Sequence, residues 1–352
     1  MKYFVKNIQM IPALKIFFVP IDFRFFGIFQ KMIMDTSKNV LKNHRVFALF
    51  VLTFFGLVSY SQKKQVCFSF DDLPLVTYGI KDTSYQKKIF SKLILSLKCN
   101  KIPAIGFVNE GKLYDNKGLN AFQVGLLNKW IGNGLEIGNH TFSHPNYYTS
   151  SFKEYSQDIL KGEKITREIL ERNGIVIKYF RHPYLQTGKT KIKYDSLNNF
   201  LSDHGYIIAP VTIENEDFYF ALAYKRAQVR KDTNLIKKIG CDYIAYMQKK
   251  LRYFETMANK LFGRDINQIL ILHSNALNSD YTDSLASIFR RNNYDFVSMD
   301  KALEDDVYKS KITVFGNWGI SWIDRWALSE GRRGDFFKDN PPVPDYIKKM
   351  SE

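Results

Sequence analysis

Short apolar runs alternate with longer amphipathic segments along most of this chain, and that alternation constrains the fold more than any other feature. The runs have the length and composition of buried strands, and the segments between them repeat apolar residues at helical spacing. Alternating strands and helices form a largely parallel sheet covered by helices. The pattern therefore predicts an α/β fold with one barrel-like domain. The predicted strands are 66–70, 104–108, 135–139, 177–180, 206–211, 268–273 and 295–299, and the predicted helices are 83–97, 121–132, 152–172, 192–204 and 232–262.

Composition and charge narrow the class of protein. Of the 352 residues, 45% are apolar and 15% aromatic, which is typical of a folded globular chain. The formal net charge is +16, but the lysines are scattered and no nucleic-acid motif is present, so we expect a solvated basic surface and no nucleic acid partner. Cys67, Cys99 and Cys241 lie far apart and predict neither a disulfide framework nor a CxxC metal site.

The first 61 residues have the composition of a leader. A basic stretch precedes the apolar run Val46–Val58, and small residues follow it up to Ser61, as in a signal peptide. The run is shorter than a membrane-spanning helix requires. We therefore expect a secreted or periplasmic protein whose only membrane contact would be through an uncleaved leader. Met34 is a candidate start, and N-terminal sequencing of the secreted protein tests this: a mature chain beginning elsewhere than near Gln62 would contradict it.

Titratable side chains gather at the ends of the predicted strands. Asp71 and Asp72 end the first strand, His140 and His144 follow the third, and His273 ends the sixth. In a barrel the catalytic groups lie where strands end and βα loops begin. We therefore expect these five side chains at one mouth of the barrel. Because adjacent strand residues point to opposite sides, both aspartates can serve one site only if the strand ends there.

The spacing of His140 and His144 predicts a metal site. Two histidines four residues apart lie on one face of a helical turn, and two imidazoles with the Asp72 carboxylate would leave positions open, as in catalytic zinc sites. For the histidine pair alone, a capping or packing role is the alternative. A two-histidine, one-carboxylate set also occurs in non-haem iron oxygenases, but the second aspartate and the separate His273 favour hydrolysis.

Four motifs in this order, "SFDDLP", "HTFSH", "RHPY" and "ILH", resemble those of the polysaccharide deacetylase family, the fourth carbohydrate esterase family. The resemblance covers roughly Val66 to Leu303. It implies a distorted (β/α) barrel of about seven strands and a divalent metal, usually zinc, used to hydrolyse N-acetyl or O-acetyl groups on sugars. The domains are then a leader (1–61), a catalytic domain (62–305) and an aromatic C-terminal extension packed on the barrel (306–352).

The resemblance also implies roles for individual residues. Asp72, His140 and His144 would bind the metal, Asp71 would be the general base that activates water, and Arg181 would hold Asp71. The general acid would be His273.

Other positions match the family less closely. The backbone N–H of Tyr184 would donate to the oxyanion, Glu214 would orient His273, and Phe218 and Ile271 would line the acetyl pocket. Asp217 would either belong to this loose motif or only cap a helix. Three departures stand out: Leu73 replaces the usual glycine, Phe218 a tryptophan and Ile271 a leucine.

The C-terminal extension has a regular spacing of tryptophans. Trp318, Trp322 and Trp326 recur every four residues, which predicts a helical stripe that packs against the barrel in preference to stacking on sugars.

We expect a monomer that acts on an acetylated glycan. The alternatives are an inactive carbohydrate-binding protein and a hydrolase of a non-saccharide amide.

Overall fold

The computed structural model describes residues 63–352. The predicted leader and its signal peptide lie outside the described residues. Lys63–Glu352 forms one unit, and within it no helix is both long and apolar enough to cross a membrane. The boundary expected between residues 305 and 306 stays a prediction.

A parallel sheet is the centre of the fold. In the described region seven strands form this sheet, in the order β7, β6, β5, β2, β1 and β8, with β9 also paired to β1. A short antiparallel pair, β3 and β4, lies apart from it. The strands are β1 Lys64–Leu73, β2 Ile105–Val108, β3 Tyr114–Asp115, β4 Gly118–Leu119, β5 Glu136–Asn139, β6 Tyr179–Phe180, β7 Ile207–Ile208, β8 Gln268–His273 and β9 Tyr294–Phe296.

The sheet curls because the chain beyond β7 returns to the opposite edge. Ile213 forms a parallel bridge with Leu270 of β8, in which the Ile213 N–H donates to Ile269 O over 3.0 Å and the Ile271 N–H donates to Ile213 O over 3.2 Å. The two edges therefore meet through an irregular segment. This confirms the predicted distorted (β/α) barrel.

Helices cover the sheet at most of the predicted positions. The segment predicted as one helix, 152–172, is two helices separated at Gly162, where a Cβ atom would lie 2.3 Å from the Thr141 carbonyl carbon. A glycine is needed at this close approach. The helices are α1 Thr83–Cys99, α2 Ala121–Ile131, α3 Phe152–Lys161, α4 Lys164–Arg172, α5 Lys191–Asp203, α6 Asp217–Val229, α7 Thr233–Phe262, α8 Ala276–Arg291, α9 Met299–Leu303, α10 Trp322–Ser329 and α11 Asp345–Ser351.

Side chains of β1 alternate between two apolar clusters, as the pleat requires. Phe68 and Phe70 pack in the large cluster that includes the surrounding helices. Cys67 packs in a smaller cluster with Phe107 and Ile269 from the neighbouring strands. Asp71, two pleat repeats after Cys67, shares that second face and stands at its carboxyl end.

The C-terminal extension contacts the barrel helices. Trp326 packs edge-on against Phe262 at the end of α7, with ring centroids 5.6 Å apart, and Arg226 Nη1 donates to Met350 O over 2.5 Å. The predicted tryptophan stripe is wrong in part. Only Trp322 and Trp326 lie on a helix, because α10 begins at Trp322 and Trp318 lies in the irregular segment before it.

Candidate active site

Two features of β1 bring Asp71 and Asp72 into one site. Asp71 pairs in register with His273 of β8. Asp72 would face the opposite side in a regular strand, but its φ is 66° and the β1–β2 register shifts between Phe70 and Leu73. The expectation that the strand ends at the aspartates is wrong, since β1 continues to Leu73. A bulge-like irregularity turns Asp72 instead.

Asp71 is buried against the Arg181 guanidinium. Asp71 is only 2% exposed, and Arg181 Nη1 donates to Asp71 Oδ1 over 3.3 Å. Arg181 is held by Ala209 O, which accepts from Nε over 2.8 Å, and by Ser69 Oγ, 3.0 Å from Nη2. Burial raises the pKa of Asp71, and the Arg181 charge opposes that shift. Arg181 therefore fixes the position of a carboxylate that is able to accept a proton.

The segment from His140 to His144 is a loop, so the predicted helical turn is wrong. Thr141 and His144 have φ values of 67° and 55°, and these left-handed residues bend the chain back on itself. Asp158 of α3 holds the bend, because its carboxylate accepts hydrogen bonds from the Phe142 and Ser143 N–H groups, both over 2.9 Å. The loop thus brings the two imidazoles together, with ring centroids 4.9 Å apart.

Asp72, His140 and His144 are placed to hold a metal ion. One ligand atom from each lies within 4.8 Å of the others. His140 Nδ1 donates to Arg181 O over 2.8 Å, which leaves the Nε2 lone pair free for a metal. Burial lowers the pKa of both His140 and His144 to about 4, so both rings are neutral near pH 7. Two neutral imidazoles and one carboxylate fit a divalent cation such as zinc.

Lys112 is a site residue that the sequence did not reveal. It follows β2 in a short 3₁₀ turn, and its Nζ lies 3.4 Å from Asp72 Oδ1 and donates to Asp72 O over 3.1 Å. Burial alone would raise the pKa of Asp72, but the neighbouring charges, Lys112 first, lower it well below its usual range. Asp72 is therefore ionised at any working pH. No motif surrounds Lys112, so only the three-dimensional structure brings it into view.

His273 is oriented by Asp217. His273 Nδ1 donates to Asp217 Oδ1 over 2.6 Å, and its backbone N–H donates to Asp217 Oδ2 over 2.9 Å. Asn278 Nδ2 also donates to Asp217 Oδ2 over 2.6 Å, and the Tyr243 hydroxyl donates to Asn278 Oδ1 over 2.6 Å. Burial would lower the pKa of His273, but the Asp217 charge outweighs it and raises the pKa to about 9. The imidazole is therefore protonated near neutral pH.

The expected partner of His273 was Glu214, and that assignment is wrong. The Glu214 carboxylate accepts from Lys250 Nζ over 2.8 Å, and the same ammonium donates to Asn340 Oδ1 over 2.9 Å. The alternative that Asp217 only caps a helix is also wrong, because no side-chain cap bond is made at the start of α6. The short spacing between the two acids made them indistinguishable in sequence.

The turn Pro183–Leu185 presents the Tyr184 backbone to the site. Tyr184 has a φ of 54°, and its N–H makes no hydrogen bond with any residue of the described part of the chain. Its ring packs edge-on against His144, with centroids 4.4 Å apart. Tyr184 therefore lines the cavity beside the candidate metal site, and its N–H has no protein acceptor among the described residues.

These groups surround one cavity of about 880 Å³. Phe218 is 42% exposed there and stands edge-on to His273, with centroids 6.4 Å apart, and Ile271 supplies a further apolar side chain. Arg181 lies behind Asp71, fully buried. The other predicted site residues all line the cavity: Asp71, Asp72, His140, His144, Tyr184, Glu214, Phe218, Ile271 and His273.

Comparison with known families identifies this arrangement. Residues 59–201 match the family described as polysaccharide deacetylase, and that range includes Asp71, Asp72, His140, His144 and Arg181. Residues 59–201, less than half of the chain, thus resemble the polysaccharide deacetylase family. The resemblance predicted from four short motifs is thereby confirmed. His273 and Asp217 lie beyond the matched range, so their assignment to the site rests on the geometry above.

The similar proteins match only part of this chain. A peptidoglycan-N-acetylglucosamine deacetylase from Bacillus cereus is 31% identical over 140 residues, which are 40% of this chain and 43% of that protein. A chitin deacetylase structure from the fungus Colletotrichum lindemuthianum is 18% identical, with a TM-score of 0.46, over 69% of this chain and 88% of that one. A pseudoenzyme of carbohydrate esterase family 4 from Bacillus anthracis is 14% identical, with a TM-score of 0.42, over 69% and 66%. This chain therefore covers less than half of the curated relative.

Leu73, where the family motif has glycine, packs between two strands without entering the site. Its side chain is fully buried and lies over Gly106 of β2, where a Cβ atom would be 2.2 Å from Leu73 Cδ1. The missing side chain of Gly106 thus makes room for the added side chain of Leu73. The exchange is a packing change between two strands.

Replacing Asp217 with asparagine should lower the pKa of His273 from about 9 towards its ordinary value, because the protonated imidazole loses its anionic partner. A general acid works below its pKa, so the alkaline decline in kcat/KM should move to lower pH. A pH profile of acetate release measures this. Glu214→Gln is the matched control and should leave the alkaline decline in place; an unshifted profile for Asp217→Asn would contradict the pairing.

Proposed function

We propose that this protein hydrolyses acetyl groups on an acetylated glycan, using a zinc ion held by Asp72, His140 and His144. The observation that carries the proposal is the convergence of this three-residue site with Asp71 and His273, which pair in register on β1 and β8. The family match and the relative named as a peptidoglycan-N-acetylglucosamine deacetylase support an N-acetylated amino sugar as substrate.

Each side of the scissile amide has a proton-transfer group. A divalent cation bound at this site would lower the pKa of water and polarise the acetyl carbonyl. Asp71, held by Arg181, accepts the proton of the attacking water. His273, protonated through its contact with Asp217, donates a proton to the departing amine. The two groups act from neighbouring strands, so one substrate position can reach both.

The negative charge that develops on the carbonyl oxygen has a donor in the Tyr184 N–H. Backbone donors that already point at the developing charge stabilise it without rearrangement, and one such donor contributes about 3 kcal/mol. Ile271 and Phe218 supply apolar surface for the acetyl methyl group in the same cavity. The cavity thus provides a base, an acid, an oxyanion donor and an apolar wall for the acetyl group.

Export and a monomeric state belong to the proposal. An apolar run at Val46–Val58 supports secretion or retention in the cell envelope, where a polymer such as peptidoglycan would be met. A single chain supplies all the groups named above, which supports a monomer.

An acetate-release assay with metal analysis tests the proposal. Chitooligosaccharides, peptidoglycan and acetylated xylan are the substrates, and we expect zinc-dependent release from the N-acetylated ones that a chelator abolishes. Asp295→Asn is the control, because the Asp295 side chain lies exposed on β9 and bonds only to Lys63 among the described residues. Bound zinc with oligosaccharide binding but no acetate from any substrate would instead identify an inactive binding protein.

A further inference from the structure

The C-terminal extension touches the turn that carries the Tyr184 N–H. Arg325 Nη2 donates to Leu185 O over 2.7 Å and to Trp318 O over 3.4 Å. The Tyr148 hydroxyl donates to the same Trp318 oxygen. Residues 318–325 therefore hold the turn through hydrogen bonds to backbone carbonyls, and Gly319 among them lines the same cavity as Tyr184.

The turn has a backbone that needs such support. Tyr184 and Leu185 are consecutive non-glycine residues with φ values of 54° and 52°. Left-handed conformations of this kind are costly for residues with a Cβ atom, and surrounding contacts must maintain them. The Leu185 carbonyl that accepts from Arg325 belongs to this strained pair.

Gly319 lets the extension come close enough to give that support. A Cβ atom on Gly319 would lie 1.9 Å from Tyr184 O. No other residue type could occupy this position without moving the turn or the extension. Next to the turn, the Trp322 ring stacks on His182, with centroids 6.3 Å apart and planes 28° apart.

Burying Arg325 at this position is energetically unfavourable. It is fully buried, its Nε and Nη1 make no hydrogen bond with the described residues, and no ion pair joins it to a described carboxylate. A buried cation without an anionic partner opposes folding. It does not line the cavity, so any effect on catalysis must pass through the residues it touches.

We propose that Arg325, with Gly319 beside it, is a positioning residue that keeps the Tyr184 N–H pointing at the oxyanion. The inference rests on the proposed function for its catalytic consequence. In this role the C-terminal extension contributes to catalysis by supporting the active-site turn, although the extension lies outside the residues that match the family.

Kinetics and amide exchange of Arg325→Met and Arg325→Lys test this. Since loss of a whole oxyanion donor costs about 10²–10³-fold in kcat, a misplaced one should cost at least about tenfold. We expect that loss in Arg325→Met with KM within twofold, a partial recovery in Arg325→Lys, and faster deuterium exchange in a peptide spanning residues 182–186. Arg290→Met is the matched control, because Arg290 also donates to a backbone carbonyl, Asn100 O, at a remote exposed site.

Gly319→Ala should give the same pattern, and Gly125→Ala is its control, since nothing lies within 4 Å of a Cβ atom at Gly125. If the Arg325 variants do not fold, Tyr148→Phe carries the test, because it removes only the hydroxyl that holds Trp318 O. Folded variants with unchanged kcat and unchanged exchange at 182–186 would overturn the inference. If the unsubstituted protein releases no acetate, the proposed function is wrong. Amide exchange alone would then decide whether Arg325 supports the turn.

Discussion

Replacing Asp71 with asparagine is expected to lower kcat/KM for acetate release by about 10²–10⁴-fold, the usual cost of removing a general base. An amide cannot take the proton of the attacking water, but it keeps the size of the carboxylate and an oxygen for Arg181. Because Asp71 is not part of the three-residue metal site, the zinc content should equal that of the unsubstituted protein. Acetate assays and elemental analysis of one preparation measure both quantities.

Asp71 lies close to a metal-binding residue, so the alternative that it is itself a ligand has to be tested. Comparing the zinc content of Asp71→Asn with its acetate release distinguishes a base from a ligand. Asp71 Oδ2 lies 3.7 Å from His140 Nε2. If Asp71→Asn lost its zinc together with its activity, the separation of base and ligand would be wrong. Retained zinc with retained turnover would show that another group takes the proton.

Replacing Asp72 with asparagine is expected to remove the metal and, with it, the activity. Changes to groups outside a metal's ligands typically cost 10–100-fold in affinity, so loss of a ligand carboxylate should weaken zinc binding by more than about 100-fold. Lys112, 3.4 Å from Asp72 Oδ1, would add to this effect because its charge would no longer be balanced. Competition with a chromophoric chelator measures the dissociation constant.

Asp295→Asn is again a suitable control for loss of one negative charge, since Asp295 is exposed and far along the sheet from the strand ends. Zinc affinity of Asp72→Asn within threefold of the unsubstituted protein would contradict the assignment of Asp72. Excess zinc that restores full turnover in this variant would show that Asp72 affects affinity alone.

The strand positions and the residues at their ends could be predicted because buried parallel strands leave a simple signal. The run "VCFSF" has one small polar residue, Ser69, among four apolar ones, as suits a strand covered on both sides. The rule that catalytic groups follow such strands then placed Asp71, His140 and His273 at one mouth. The structure brings them to one cavity for that reason.

Local backbone geometry was not predictable. Asp72 and His144 have left-handed φ values; Asp and His adopt this region more often than most residues with a Cβ atom, but it is still uncommon for them, so the residue type alone did not predict it. The helical spacing of His140 and His144 suggested a helix, whereas tertiary contacts from Asp158 create a bend. The structure brings the three predicted ligand residues together, but on a bend and not on the predicted helical turn.

Side-chain contacts between residues distant in sequence also could not be predicted. Choosing Asp217 over Glu214 as the partner of His273 required knowing that Lys250, on α7, pairs with Glu214. The same holds for Lys112 beside Asp72 and for Arg325 next to the Tyr184 turn. Each of these contacts depends on how separate elements pack, which periodicity and short motifs do not encode.

The most direct test of the central claim, that these strand ends form one zinc-dependent hydrolytic site, is a titration of metal-free protein with zinc. Acetate release from an N-acetylated oligosaccharide is the readout. The rate should rise in proportion to added zinc and reach its plateau at one ion per chain. Acetate release that is already complete without metal, or that is absent at every zinc concentration, would contradict the account.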